Sequence, residues 1–293
     1  MRRWRAIVAA SALEVLGEPL VLLMLLASLA LAALAPAMHY HQFGEPTRMA
    51  RDAGLSALLL GGFVVAFAGT LRTFRREIET LTASTALAHS VSRTAFFLSK
   101  VAGCALAYVW FAVTVVLVAL VVVRGAALGG EVAASRGDVA RVWGPSLSCA
   151  LAALVLPLAS AALLNRFARF RFTLTANLLA LPVAALGVCY RFDAALVFRH
   201  LPVFSLAATP AFFVLAATAA CAVRWKVNTA ASAAVLVTAL ALPALGNYCL
   251  SDALAGGGML DMCYFLVALA ALLPAVAACL AVGVHFINGQ DLQ

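Results

Sequence analysis

Apolar runs near twenty residues long recur along this chain, and their repetition constrains the fold more than any other feature. About 20 helical residues cross the hydrocarbon of a bilayer. Soluble chains carry about a quarter charged residues, whereas 65% of residues here are hydrophobic and 11% are charged. One globule cannot bury that many apolar side chains, but lipid removes the need for a polar exterior. No polar stretch is long enough to build a core of its own. The sequence predicts an all-α, polytopic helical membrane protein with six to eight transmembrane helices, a single transmembrane domain over 1–293.

Residues 1–18 mix Arg2, Arg3, Trp4, Arg5, Glu14 and Glu18 with Ile7, Val8, Leu13, Val15 and Leu16. They read as an amphipathic helix in the interface, with Trp4 at headgroup depth. The acids interrupt the apolar run and no small-residue cleavage site stands out, so the segment is expected to be retained. Spans are predicted over 19–36, 55–71, 97–123, 144–164, 172–190, 203–223, 229–248 and 262–286, with polar loops over 37–54 and 124–141. Gly61, Gly62 and Gly69 would allow close helix contact. A six-span alternative folds 172–223 as a re-entrant pair. Both arrangements put the two termini on the cytoplasmic side.

The net charge of +8 comes from basic residues at the ends of the runs, not from a basic stripe interleaved with aromatics, which excludes nucleic acid as a partner. With eight spans and an inner N-terminus, 13 of the 20 basic residues fall inside: Arg2, Arg3, Arg5, Arg72, Arg75, Arg76, Arg93, Lys100, Arg166, Arg169, Arg171, Arg224 and Lys226. That excess sets the orientation. The seven cysteines form no C-x-x-C pair and mostly sit in apolar runs, as small hydrophobes do. Cys249 and Cys263 flank one predicted outer loop, either as a bridge in an oxidising compartment or, the preferred reading, as free thiols.

Several chemistries are excluded by what is missing. The chain has no G-x-x-x-x-G-K-[ST], no H-E-x-x-H and no nucleophile elbow. Few ionisable residues lie deep in the spans, which argues against ion-coupled transport. His39 and His41, with Glu45 as the one nearby carboxylate, fall short of a metal-ligand set. Arg191 and Asp193 read as a solvated pair, and Phe96, Phe97, Tyr108, Trp110 and Phe111 as interface anchors and packing.

The exception to the apolar pattern is 71–100, LRTFRREIETLTASTALAHSVSRTAFFLSK. It predicts a short helix, a turn at His89-Ser90-Val91-Ser92-Arg93, and a return into the membrane. Two readings stand: a docking surface for a soluble partner, or a loop whose acids offset nearby arginines.

Acidic pair, Thr, small apolar helix, then V-S-R before a span resembles the ABC-2 type family of ABC transporter permeases. Glu77, Glu79, Thr82, Val91, Ser92, Arg93 and Lys100 match the family pattern; Leu81 and Ser90 stand where Gly and Pro are usual. The stretch containing Glu14 is similar to the family's elbow helix. Segments 43–54, 226–231 and 252–254 resemble loops of one bacterial branch, while Phe286-Ile287-Asn288 lacks the family's acid and base.

The resemblance implies a permease subunit of an exporter in the bacterial inner membrane. It implies pairing with a second permease copy or paralogue and with cytoplasmic ABC ATPases. ATP and Mg would sit on the ATPase; this chain would bind no cofactor or metal and carry no catalytic residue. Residues 72–96 would form the coupling segment, docking through Arg76, Glu77, Glu79, Thr82, His89, Ser90, Val91, Ser92 and Arg93. Two rivals come from other classes. A lipid-modifying membrane enzyme would need convergent acids, whereas Asp138, Asp193, Asp252 and Asp261 lie on separate loops. A non-transporting scaffold or sensor would dock some other protein on the insert.

Overall fold

The computed structural model describes residues 2–34, 46–79, 92–134, 139–190, 193–225, 229–231, 233–236 and 262–289. Among them the structure is helical, with no strand. Helix α1 is Arg2–Leu16 and α2 is Pro19–Leu34. Helix α3 runs Pro46–Val64, passes through a π-helical turn, Val65–Gly69, and continues over Thr70–Glu79. Then come α4 (Arg93–Ala134), α5 (Val139–Ala168), α6 (Phe172–Tyr190), α7 (Ala194–Ala208), α8 (Pro210–Arg224) and α9 (Met262–Asn288).

Six stretches are long and apolar enough to cross a bilayer: Thr47–Arg76, Arg93–Leu128, Gly144–Ala168, Phe172–Tyr190, Ala194–Arg224 and Leu266–Asn288. The bent pair α1–α2, with 64° between its limbs, brings the total to as many as seven. This is a membrane-embedded helical bundle. Residues 172–190 and 194–224 each reach spanning length, so the re-entrant pair is not needed to accommodate them. Of the 229–248 span, 232 and 237–248 fall outside the described residues, as do Cys249, His39, His41 and Glu45.

Two predicted loops, 37–54 and 124–141, are helical where they are described, over 46–54, 124–134 and 139–141. Pro46 starts α3, so Arg48, Arg51 and Asp52 lie in its first turns, and α4 continues past Arg124 to Ala134. The charges that suggest loops are partnered. Arg48 Nε lies 3.9 Å from Asp52 one turn along, and Arg124 lies 2.5 Å from Asp193, which also caps α7 by accepting from the Leu196 N–H.

Helix α4 is the axis of the core. Phe97, Ala107, Tyr108, Phe111, Val115, Ala119 and Val123 are fully buried along it. Small residues let neighbours close on this helix: a side chain at Gly61 would strike Ser28 and Phe111, and one at Gly62 would press on Tyr108. Ser28 completes the contact by donating to the Ala57 carbonyl. Of the most apolar windows, 72% of α4 and 83% of α7–α8 is buried within the chain, against 17–22% for α5, α6 and α9. The last three therefore ring a central set, their Leu, Val and Phe side chains outward, as lipid permits and water does not.

The α7–α8 joint shows how a proline is absorbed inside the bundle. Pro210 has no N–H for the Leu206 carbonyl. The Thr209 N–H and hydroxyl fill that place, at 3.1 and 2.7 Å. The Ala208 carbonyl takes the Tyr108 hydroxyl of α4 at 2.7 Å, and Tyr108 meets Phe212 edge-on. In a bilayer core, backbone groups freed by proline must be satisfied by neighbours in this way.

Candidate functional site

Five basic side chains crowd one end of this bundle, here called the Arg72 end. Helix α3 emerges there carrying Arg72, Arg75 and Arg76, and α4 begins there with Arg93 and Lys100. Such a concentration needs acid, and α1–α2 brings it. The Arg72 guanidinium lies 2.7 Å from Glu18, that of Arg76 lies 3.5 Å from Glu14, and the Lys100 ammonium lies 3.6 Å from the other Glu14 oxygen. Glu14 and Glu18 are four residues apart, as are Arg72 and Arg76. The pairing 14 with 76 and 18 with 72 is an antiparallel ladder between two chain segments.

Local structure fixes both acids. Glu18 sits at the start of α2, its carbonyl accepting from Val21 and Leu22 N–H groups, so its carboxylate faces the positive end of that helix. Glu14 lies in the last turn of α1, where the dipole disfavours an anion; Arg76 and Lys100 offset this. Lys100 is buried, with 4% of its side chain exposed, so Glu14 compensates a charge that water barely reaches. Arg72 and Arg76 stay more than half exposed, and their contacts hold position more than they stabilise.

The bend between α1 and α2 is itself pinned. A C-terminal helix turn leaves carbonyls without partners. Thr173 of α6 donates to the Gly17 carbonyl at 2.7 Å and Asn177 of α6 donates to the Leu16 carbonyl at 2.6 Å. Trp110 of α4 donates to the Asn177 carbonyl, tying that turn of α6 back to the core. Helix α1 meets α4 backbone to backbone: a side chain at Gly103 would collide with Ser11 and the Val8 carbonyl. The opposite wall of this end is apolar and aromatic. Phe97 meets Phe74 with the rings tilted at 54° and fills the space over Gly283, while Arg224 lies 5.8 Å over the Phe286 ring.

The residues expected to dock a partner are placed unevenly. Arg76 belongs to the cluster. Glu77 and Glu79 lie in the final turns of α3, their side chains outside the described set. Thr82, His89, Ser90 and Val91 fall outside the described residues. Ser92 is exposed and caps α4, its hydroxyl accepting from the Ala95 N–H at 3.2 Å; Arg93 opens that helix. The α1 segment expected to lie in the interface is helical, and its Ser11, Ala12, Val15 and Leu16 face is buried. No protein-family model matches the chain, and neither a curated protein nor a solved structure matches it.

The expected docking set contains neither Glu18 nor Arg72. Their signal is the matched four-residue spacing of opposite charges at the edges of two apolar runs. It becomes readable only once α2 and α3 are known to pack side by side.

Proposed function

We propose that this chain is the transmembrane permease subunit of an ATP-binding cassette exporter, driven by a separate cytoplasmic ATPase that docks on segment 72–96. The observation that carries the reading is the ion-pair ladder at the root of that segment. Helix α3 arrives there as one rod over Thr47–Arg76 and is bound to α1, α2 and α4 through Arg72, Arg76, Glu14, Glu18 and Lys100. A force applied beyond Glu79 is thereby delivered to three helices at once. The chain lacks a phosphate-binding loop, so the energy comes from a partner that holds ATP and Mg.

Alternating access needs packing with two discrete arrangements. The π turn Val65–Gly69 in α3 and the Thr209–Pro210 joint between α7 and α8 are interruptions of the kind that permit it, both in central spans. The outward apolar faces of α5, α6 and α9 leave room for a second permease copy. Basic residues favour the Arg72 end: Arg72, Arg75, Arg76, Arg93, Lys100, Arg166, Arg169, Arg171 and Arg224, against Arg48, Arg51, Arg124 and Arg199 opposite. This supports a cytoplasmic Arg72 end in a bacterial inner membrane.

The test reverses charge at Glu77 and Glu79 in the assembled transporter. Substituting Lys at both positions should leave the protein folded and inserted while ATP turnover no longer follows transport. Transport undiminished in the double variant would remove the docking role.

A further inference from the structure

At the opposite end of the bundle a buried arginine is unaccounted for. Arg51, in the second turn of α3, is 3% exposed. Its Nε donates to Asp52 at 3.1 Å, but its buried Nη2 has no hydrogen-bond partner. Guanidinium carries five donors in a planar fork, cannot shed its charge, and is costly to bury unsatisfied. Nothing in the ladder at the Arg72 end uses it.

The surroundings favour an anion. Helix α3 closes on α4 and α7 here, since a side chain at Gly54 would meet Ala119 at 2.7 Å and Phe204 at 3.3 Å. His200, one turn before Phe204, is buried within electrostatic reach of both Arg51 and Arg199. Asp52 is shared between Arg48 and Arg51, and Asp193 is engaged with Arg124. Among the described residues, two guanidinium groups thus approach His200, while the Asp52 carboxylate that Arg51 meets is already divided. Depth adds a second argument. Residue 51 lies about 16 Å along the axis from the middle of the 47–76 helix, at the level where hydrocarbon gives way to headgroups.

We propose that Arg51 is the anchor of an oxyanion site between α3 and α7 that takes a phosphate group, with the His200 imidazole as second donor. A phosphate oxygen on Nη2 would satisfy the buried fork with the charge-assisted geometry for which arginine is suited. A lipid headgroup and a free phosphate present the same group to this site, and the test separates the two sources. The proposal does not depend on an ATPase driving the chain.

The test uses the full chain, purified and stripped of lipid in detergent. Its melting is followed with inorganic phosphate, with a short-chain phosphatidylglycerol, and with a glycolipid of the same acyl chains that lacks phosphate. Binding predicts that one phosphate-bearing ligand raises the melting temperature and the glycolipid does not. Stabilisation by the phospholipid alone assigns the site to headgroups, and stabilisation by inorganic phosphate assigns it to a free anion. Arg51→Gln should weaken binding at least about tenfold, Arg51→Lys by less, and Arg166→Gln at the far end not at all. If Arg51→Gln does not fold, the Lys variant and the three ligands on the native chain decide. Neither phosphate ligand exceeding the glycolipid, or an Arg51 variant binding like the native chain, would overturn the site.

Discussion

At the scale of single residues, the bundle is held by a few contacts between atoms that must not be left alone in lipid. Tyr108 is the plainest, because its hydroxyl serves a carbonyl released by the Thr209–Pro210 joint. Tyr108→Phe keeps the ring and its contact with Phe212 but strands the Ala208 carbonyl. Polar deletions inside membrane bundles cost about 0.6 to 2 kcal/mol, and this variant should lie in that range when unfolding is titrated in detergent; a loss near zero would mean that water or a backbone shift serves the carbonyl instead. Gly103 tests packing where no hydrogen bond is involved. Gly103→Ala puts a methyl against Ser11 and the Val8 carbonyl, and backbone cannot rotate aside as a long side chain would. Overpacking of this kind costs about 1–3 kcal/mol. The expected readout is a lowered melting temperature with faster protease cleavage in α1.

At the scale of elements, the ladder makes a graded prediction. Glu14→Gln removes the acid beside buried Lys100, whereas Glu18→Gln removes the partner of a mostly exposed Arg72. The first should therefore destabilise more than the second, and Lys100→Met should suppress much of the Glu14→Gln defect because no buried cation remains. Equal losses for the two glutamine variants, measured by thermal unfolding, would show that Lys100 leans on other groups. The ladder also shows what a sequence reveals and what it conceals. Helix α6 occupies its predicted bounds, 172–190, because Arg171 and Arg191 bracket a run with no charge inside. Helices α3 and α4 overrun their predicted ends because hydropathy counts Arg48, Asp52 and Arg124 as polar without seeing their partners. Those partners lie one turn away for Arg48 and 69 positions along the sequence for Arg124. Close approach at Gly61 and Gly62 follows from residue size alone and is legible. The Glu14–Lys100 contact depends on α1 folding back against α4, for which the sequence carries no local rule.

At the scale of the molecule, helix direction decides topology. Glu18 at the head of α2 meets Arg72, and Asn288 at the tail of α9 lies 3.4 Å from Thr94 at the head of α4. The chain thus enters its first apolar helix and leaves its last at the same end. Trp225 and Arg224 at the tail of α8 meet Phe286 near the tail of α9, so α8 and α9 run parallel. Parallel neighbours cannot be joined by a short turn at one end, and 37 residues separate Arg224 from Met262. Single cysteines introduced into a chain whose own cysteines are replaced give the test. Labels at Trp225→Cys and Gly289→Cys should react with an impermeant maleimide from one side of sealed vesicles, and Asp193→Cys from the other. The proposed orientation, with the Arg72 end cytoplasmic, puts the first two on the cytoplasmic side. If Trp225→Cys and Gly289→Cys label from opposite sides, the parallel packing of α8 and α9 is wrong, and with it the aromatic contact between Trp225 and Phe286 from which the direction is read.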